Sequence, residues 1–242
     1  MSNAATNEAT AAARTAFFDA LADTRRRTVL RAVHRRSPDG IGSDELVHRL
    51  TAATTVAQSA AVSDDARRRT LVDLRHRLLP ALIDVGLLER ADDGTIALGA
   101  HPAVADPRLE GVLSTRYDAD DATLDAVFRG LADERRRTIL SILAAEERPL
   151  ETDRLVRRVA AREGTRVEMV ETAFVHVHGP LLADASLIDY DPGAERVADA
   201  GHSVVDLEWL ESRDATAAAK RRVDDAMAST HQLVYRAQPR SP

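Results

Sequence analysis

A cluster of basic side chains between positions 67 and 77 is the part of this sequence best suited to chemistry. Its members are Arg67, Arg68, Arg69, Arg75, His76 and Arg77. The planar guanidinium group of arginine donates paired hydrogen bonds to phosphates and to the edge of guanine. We therefore expect this cluster, together with Arg90 further along the chain, to bind double-stranded DNA. A solvated helix surface is the alternative interpretation.

Two arginine triplets, Arg25–Arg27 and Arg135–Arg137, form a second basic feature. They lie inside the segments FDALADTRRRTVL (18–30) and FRGLADERRRTIL (128–140), which match at nine of thirteen positions. A triplet of this kind could clamp phosphate. However, runs of charge are usually solvated faces with internal ion pairs, so we interpret both triplets as structural motifs that organise each unit.

A second pair of similar segments, His76–Leu88 and His176–Ile188, follows the first pair in the same order. Two markers that recur in order predict a duplicated domain of about a hundred residues. We expect five parts, with two copies of the unit in the middle. They are a disordered N-terminus (1–13), repeat 1 (14–100), a linker with a helix (101–124), repeat 2 (125–200) and a C-terminal helix with a tail (201–242).

Helical periodicity predicts one long helix late in each unit. In repeat 1 it begins near Asp64, and its buried stripe is Leu71, Leu74, Leu78, Leu82 and Val85. At 100° per residue, Arg68 and Arg75 lie opposite this stripe. Asp23 and Asp133 are suited to cap an earlier helix in each copy, and Asp92-Asp93-Gly94 predicts a hairpin. The fold class is therefore mainly α with small β-hairpins, as tandem winged helix-turn-helix domains. The polar composition of segment 54–63 predicts a loop.

A proline inside each long helix, Pro80 or Pro180, predicts a kink or a break. His76 and His176 hold equivalent places before these prolines, and we expect their imidazoles to hydrogen-bond a carbonyl that the proline leaves unpaired. A metal site is the weaker interpretation, because His176 and His178 are two residues apart and point in different directions on a helix. We predict no metal and no cofactor.

The long helix of repeat 2 differs in charge from that of repeat 1. It carries Glu168 and Glu171, and Arg166 is its basic residue. Carboxylates at those positions would repel a phosphate backbone. We therefore expect that repeat 2 does not bind DNA as repeat 1 does, and that it serves as a pairing surface or as a surface for a protein partner.

The composition excludes several classes of protein. The chain has no cysteine, and no stretch approaches the roughly 20 apolar residues of a membrane span, so we expect a cytoplasmic protein. No nucleophile motif, phosphate loop or paired-carboxylate arrangement indicates an enzyme. Lys220 is the only lysine among 33 basic residues, against 39 acidic ones. This balance is typical of halophilic archaea, and a GC-rich genome is the other explanation.

Two motifs resemble known families. The close of the first long helix, with Leu82, Val85, Gly86, Leu87 and Leu88, resembles ArsR-type winged-helix regulators. The combination of Leu-Ala-Asp-x-Arg-Arg-Arg with the later His-x-x-Leu-Pro segment is more similar to a haloarchaeal winged-helix family of unknown function. The resemblance covers most of residues 16–98 and 126–198, and it implies the fold directly and DNA binding only by analogy.

These observations together predict a transcription regulator that binds DNA as a homodimer through repeat 1. The dimer is expected because winged-helix operators commonly have two-fold symmetry, and because the spacing of Val223, Met227 and Val234 predicts an additional C-terminal helix. A protein–protein interaction module that does not bind DNA is the alternative function.

Overall fold

Each copy of the unit is built from helices that precede a two-stranded hairpin. The structure, a computed structural model, describes residues 2–58, 63–114 and 119–202. Repeat 1 contains α1 (Ser2–Leu21), α2 (Thr24–His34), α3 (Ser43–Gln58), α4 (Asp64–Asp73), a π-helical turn (Leu74–Leu78), α5 (Leu79–Asp84), β1 (Leu88–Arg90) and β2 (Ile96–Leu98). A 3₁₀ turn (Pro102–Ala105) and α6 (Pro107–Leu113) follow it.

Repeat 2 has the same order of elements with one additional strand. It contains α7 (Asp121–Leu131), α8 (Glu134–Ala144), β3 (Leu150–Glu151), α9 (Thr152–Glu163), α10 (Val167–Ala173), a π-helical turn (Phe174–His178), α11 (Gly179–Asp184), β4 (Ile188–Asp191) and β5 (Arg196–Asp199). We call residues 64–84 the long helix of repeat 1 and residues 167–184 the long helix of repeat 2. The predicted fold class, mainly α with small hairpins in a winged-helix arrangement, is confirmed.

In each repeat the two-stranded hairpin, which we call the wing, pairs with a short extended segment that precedes the third helix. In repeat 2 the antiparallel strand order is β3-β5-β4, with Leu150 opposite Val197. In repeat 1 a single bridge between Ile41 and Ile96 occupies the equivalent place. This pairing ties the hairpin to the third helix of its repeat, because β3 runs directly into α9 and Ile41 lies two residues before α3.

The predicted helix caps are present in both repeats. The Asp23 carboxylate accepts hydrogen bonds from the amides of Arg25 and Arg26, and Asp133 accepts one from the amide of Arg136. Each cap satisfies amide groups that have no partner in the first turn of a helix. These two aspartates therefore set the start of α2 and α8.

The predicted leucine stripe faces the core. Leu74, Leu78 and Leu82 are fully buried, while Leu71 and Val85 are partly buried against the same cluster. The burial classes of 66–79 repeat at 166–179 except at 66 and 71. The long helices of the two repeats therefore present equivalent faces to solvent.

Each long helix widens into a π-helical turn just before its proline. The Leu79 amide donates to the Leu74 carbonyl, five residues back, and the Gly179 amide donates to Phe174 in the same way. A proline ring clashes with the carbonyl four residues before it, and the wider turn relieves that clash. The predicted interruption at Pro80 and Pro180 is thus a π-turn within one continuous helix.

The two repeats pair through their first helices. The rings of Phe18 on α1 and Phe128 on α7, which are equivalent residues 110 positions apart, lie 6.5 Å apart between centroids. Contact between equivalent residues is the mark of a two-fold pairing, here within one chain. The third arginine of each triplet also contributes to this pairing, because its side chain donates hydrogen bonds to the other repeat.

The two arginines that cross this pairing are Arg27 and Arg137. Arg27 donates to the carboxylates of Asp121 and Asp125 on α7. Arg137 donates to the Ala11 carbonyl and the Thr15 hydroxyl, which are the α1 residues equivalent to those aspartates. Burial, chiefly, with a smaller contribution from Arg14, lowers the pKa of Arg137 to about 10. The pairing is therefore symmetric in position and asymmetric in charge.

The expected disorder of residues 1–13 is wrong for 2–13, which belong to α1. Alanine has the highest helix propensity, and Ala11 and Thr15 are held by Arg137 of the other repeat. The segment 54–63 is also less loop-like than predicted, since α3 extends to Gln58. Repeat 2 begins at Asp121, four residues before its predicted boundary at 125.

The expected C-terminal helix and most of the 201–242 segment lie outside the described residues. No helix in the described ranges has an apolar stretch long enough to cross a bilayer.

Candidate nucleic-acid interface

Three rows of side chains run along the outer side of the long helix of repeat 1, and the middle residues of two of them, Leu71 and Asp73, are partly buried. Positions four apart on a helix lie one above the other. The rows are Arg67, Leu71 and Arg75; then Arg68, Val72 and His76; then Arg69, Asp73 and Arg77. The second and third rows line a shallow surface depression. The structure thus brings six of the seven predicted DNA-binding residues together on one face.

Three of these arginines have acidic partners. Arg69 lies 3.3 Å from Asp65, Arg77 lies 3.3 Å from Asp73, and Arg67 is at the limit of an ion pair, 3.9 Å from Asp44. Arg77 also approaches Asp23, the cap of α2, at 3.5 Å. Exposed pairs of this kind contribute little energy, but they partly neutralise the charge that a phosphate would meet.

Arg68 and Arg75 differ from their neighbours. Both are exposed, and neither has an acidic side chain within ion-pair distance among the residues that the structure describes. They are seven residues apart, which is about two helical turns, so they lie on the same side of the helix. These two guanidinium groups are therefore the cations of this face that are available to an external anion.

Arg90 lies on β1 and is not part of the long-helix cluster. It is exposed and pairs through its backbone with Ile96 in the hairpin. The hairpin turn beside it is acidic: Asp93 accepts a hydrogen bond from the Thr95 amide, and that bond holds the pKa of the Asp93 carboxyl below its ordinary value. The wing therefore adds one cation and several anions.

The arginine triplets make intramolecular contacts. In repeat 1, Arg25 forms an ion pair with Asp73 and Arg26 forms one with Asp19. In repeat 2, Arg135 forms a bidentate pair with Glu163, whose carboxylate raises the pKa of Arg135. These contacts support the structural interpretation of both triplets. The pair between Arg25 and Asp73 also links α2 directly to the long helix.

Arg136 acts differently from its counterpart in repeat 1. It donates to the carbonyls of Arg129 and Gly130 at the end of α7, where a helix has acceptors without partners. Burial lowers the pKa of Arg136. Arg136 therefore links the end of α7 to the start of α8.

The hydrogen bonds expected from His76 and His176 are absent among the described residues. Both imidazoles are exposed, and the π-turns meet the geometric demand of the prolines instead. His178 is the buried histidine of the segment, and its Nδ1 has no hydrogen-bond partner there. Burial lowers the pKa of His178, so its neutral form is favoured. Within the described ranges no three acidic or histidine side chains are grouped to hold a metal ion.

The long helix of repeat 2 presents the same three rows with different chemistry. They are Val167, Glu171 and Val175; then Glu168, Thr172 and His176; then Met169, Ala173 and Val177. Four arginine positions of repeat 1 are therefore apolar here, and the position of Arg68 is a glutamate. Met169 and Val177 are each about half exposed, at 52% and 51%. The two glutamates were apparent from the sequence, whereas the exposure of the four apolar residues was not predicted.

One family model matches both repeats. It is described as a domain of unknown function, DUF7344, and it covers residues 18–97 and 128–198. No curated protein matches the chain. No solved structure matches it either. The two matched regions coincide with the two winged-helix units.

Proposed function

The chain belongs to the DUF7344 family, and from the exposed faces of its two copies we propose that it is a DNA-binding transcription regulator. In this proposal the long helix of repeat 1 enters the major groove. The observation that carries it is the pair Arg68 and Arg75, both exposed and both without an acidic partner in the described part of the chain. In winged-helix proteins the helix before the wing commonly supplies the contacts to base edges.

Neighbouring residues of the same face have supporting roles. Arg67, Arg69 and Arg77 are held near carboxylates at 3.3–3.9 Å, so they would contact DNA only after giving up a weak ion pair. His76 lies in the row of Arg68, between Arg75 and Arg77 in the sequence. Arg90 would meet the phosphate backbone from the wing.

Salt limits how such a protein binds. The near-absence of lysine supports an origin in a haloarchaeon, as does the resemblance of the repeats. At high salt, release of counterions contributes little affinity. The contacts of Arg68 and Arg75 with base edges would then contribute more to binding than phosphate pairing does.

A homodimer is the second part of the proposal. The pairing of α1 with α7 gives one chain an internal two-fold arrangement, but only one of its long helices is basic. An operator with two equivalent half-sites needs two such helices. Two chains, each contributing repeat 1, would meet that requirement.

A protein–protein interaction module is the alternative function. The specific observation that favours it is the set of exposed apolar side chains on the long helix of repeat 2. The two functions are compatible if each repeat performs one of them.

Binding to DNA fragments from the native host tests the proposal. The wild type and the double variant Arg68→Ala/Arg75→Ala are compared by fluorescence anisotropy. The control is Arg35→Ala/Arg148→Ala, which removes the same charge from two exposed arginines outside the long helices. We expect at least tenfold weaker binding for the first variant only. Equal affinity of the wild type and the Arg68/Arg75 variant would contradict the proposal.

A further inference from the structure

The long helix of repeat 2 carries an apolar surface that no described part of the chain covers. Its apolar members lie in the two outer rows: Val167 and Val175 are each 38% exposed, and Met169 and Val177 are each about half exposed. Ala173 lies between Met169 and Val177 in its row. The polar row of Glu168, Thr172 and His176 separates these two rows, and such a concentration of exposed apolar side chains on one helix is typical of a site for another protein.

Acidic side chains accompany this surface. Glu168 and Glu171 are exposed on the same face, and neither has a basic partner among the described residues. Strand β4 is packed beside this helix, because the ring of Tyr190 contacts that of Phe174 with 5.1 Å between centroids. The exposed face of this helix therefore combines apolar side chains with two carboxylates.

The two repeats differ in a way that argues against a shared ligand. Arg67, Arg69, Arg75 and Arg77 correspond to the four apolar residues, at a constant offset of 100. The π-turn lies at the same place in both copies. One scaffold therefore presents a cationic face in repeat 1 and an apolar, acidic face in repeat 2.

From this arrangement we propose that the long helix of repeat 2 binds a basic amphipathic helix of a partner protein. The apolar side of the partner would cover the row of Met169, Ala173 and Val177, and its lysines or arginines would pair with Glu168 and Glu171, which lie in the two neighbouring rows. A second copy of this chain fits less well, because a symmetric contact would place these glutamates near their own counterparts. The inference rests on the division of roles between repeats in the proposed function.

Two designed peptides serve as probes for this surface on the full chain. Both have the same leucine stripe at helical spacing; one carries arginine and the other glutamate at the flanking positions. We expect the basic peptide to bind at least tenfold more tightly than the acidic one at low salt. Equal binding of the two, or no binding of the basic peptide, would overturn the proposal.

The variant Val175→Arg/Val177→Arg installs the residues of repeat 1 at exposed positions. It should keep the thermal stability of the wild type and bind the basic peptide at least tenfold more weakly. Glu168→Arg should also weaken that binding. Unchanged binding by both variants would overturn the proposal, since the peptide would then lie elsewhere.

Two further measurements separate the outcomes. Arg68→Ala/Arg75→Ala should bind the basic peptide like the wild type, so loss of DNA binding and loss of peptide binding are distinguishable. Light scattering after gel filtration gives the mass of the chain. If the wild type self-associates and Val175→Arg/Val177→Arg abolishes this, the occupant is a second copy, and the proposed partner is wrong.

Discussion

The guanidinium group of Arg27 lies against the carboxylate of Asp125, with Nη1 2.5 Å from Oδ1, and it joins the two repeats of the chain. The Arg27 side chain is fully buried, whereas that of Asp125 is 27% exposed. Thr24 also donates its hydroxyl to Asp125, and Asp121 accepts from the other terminal nitrogen of Arg27. The contact is thus a small network that crosses the repeat interface.

Removal of one member of this network should destabilise the chain. Asp125→Leu leaves a buried guanidinium with one carboxylate fewer. We expect a loss of about 3 kcal/mol in the free energy of unfolding, at the lower end of the range for broken buried pairs because Asp125 is partly solvated. Urea denaturation of the full chain measures it.

A double variant and a control sharpen this prediction. Arg27→Met/Asp125→Leu removes both charges and should recover part of the loss, because no unpaired buried charge remains. Arg35→Met, an exposed arginine at the end of the same helix, should change the stability by less than about 0.5 kcal/mol. If the double variant loses as much stability as the single variants Arg27→Met and Asp125→Leu together, Arg27 and Asp125 do not interact.

The turn before α3 should depend on Gly40. Its φ is +74°, and an added Cβ would lie 2.8 Å from the carbonyl oxygen of Ile96, across the bridge that holds the wing. We expect Gly40→Ala to cost about 1–3 kcal/mol in folding free energy. Gly42→Ala is the matched control, because an added Cβ there meets nothing within 4 Å. Equal melting temperatures of the two variants would contradict this interpretation of the turn.

The buried imidazole of His178 should make the fold sensitive to acid. Burial lowers its folded pKa below the ordinary value of 6.5. Below pH 6.5 the unfolded chain therefore binds more protons than the folded chain, and stability falls as the pH falls. His178→Leu installs the residue that repeat 1 has at position 78, and it should gain stability over the wild type at pH 5 more than at pH 8.

The reciprocal change examines the same imidazole effect in repeat 1. Leu78→His places an imidazole at the equivalent buried position and should make the stability more dependent on acid. His101, whose pKa burial also lowers, has the same sign and remains in both variants. Denaturant titrations at pH 5 and pH 8 measure the free energy of unfolding of each variant. A difference between wild type and His178→Leu that is the same at both pH values would contradict the prediction.

Local features of the fold could be predicted from the sequence. Asp23 and Asp133 cap helices as expected, and Leu74, Leu78 and Leu82 are buried as their spacing indicates. Both rest on interactions within a few turns of one helix. The helix at 2–13 was missed because it has no apolar stripe, and its partner Arg137 lies more than 120 residues away in sequence.

The site could be predicted only in outline. The arginine cluster was visible, but its division into paired and unpaired members was not. Arg77 meets Asp23 across 54 residues, and Arg25 meets Asp73 through the packing of α2 on the long helix. Such pairings depend on tertiary structure and leave no local pattern. The same holds for Arg27 and Asp125, whose contact defines how the repeats pair.

The salt dependence of DNA affinity is the sharpest test of whether Arg68 and Arg75 bind DNA. The logarithm of affinity is plotted against the logarithm of salt concentration for the wild type, Arg68→Ala/Arg75→Ala and the control Arg35→Ala/Arg148→Ala. Because these two arginines are proposed to contact base edges, we predict that the Arg68/Arg75 variant binds at least tenfold more weakly at every salt concentration with a slope close to that of the wild type, and that the control gives the wild-type line. Coincident lines for the wild type and the Arg68/Arg75 variant would contradict DNA binding by this face.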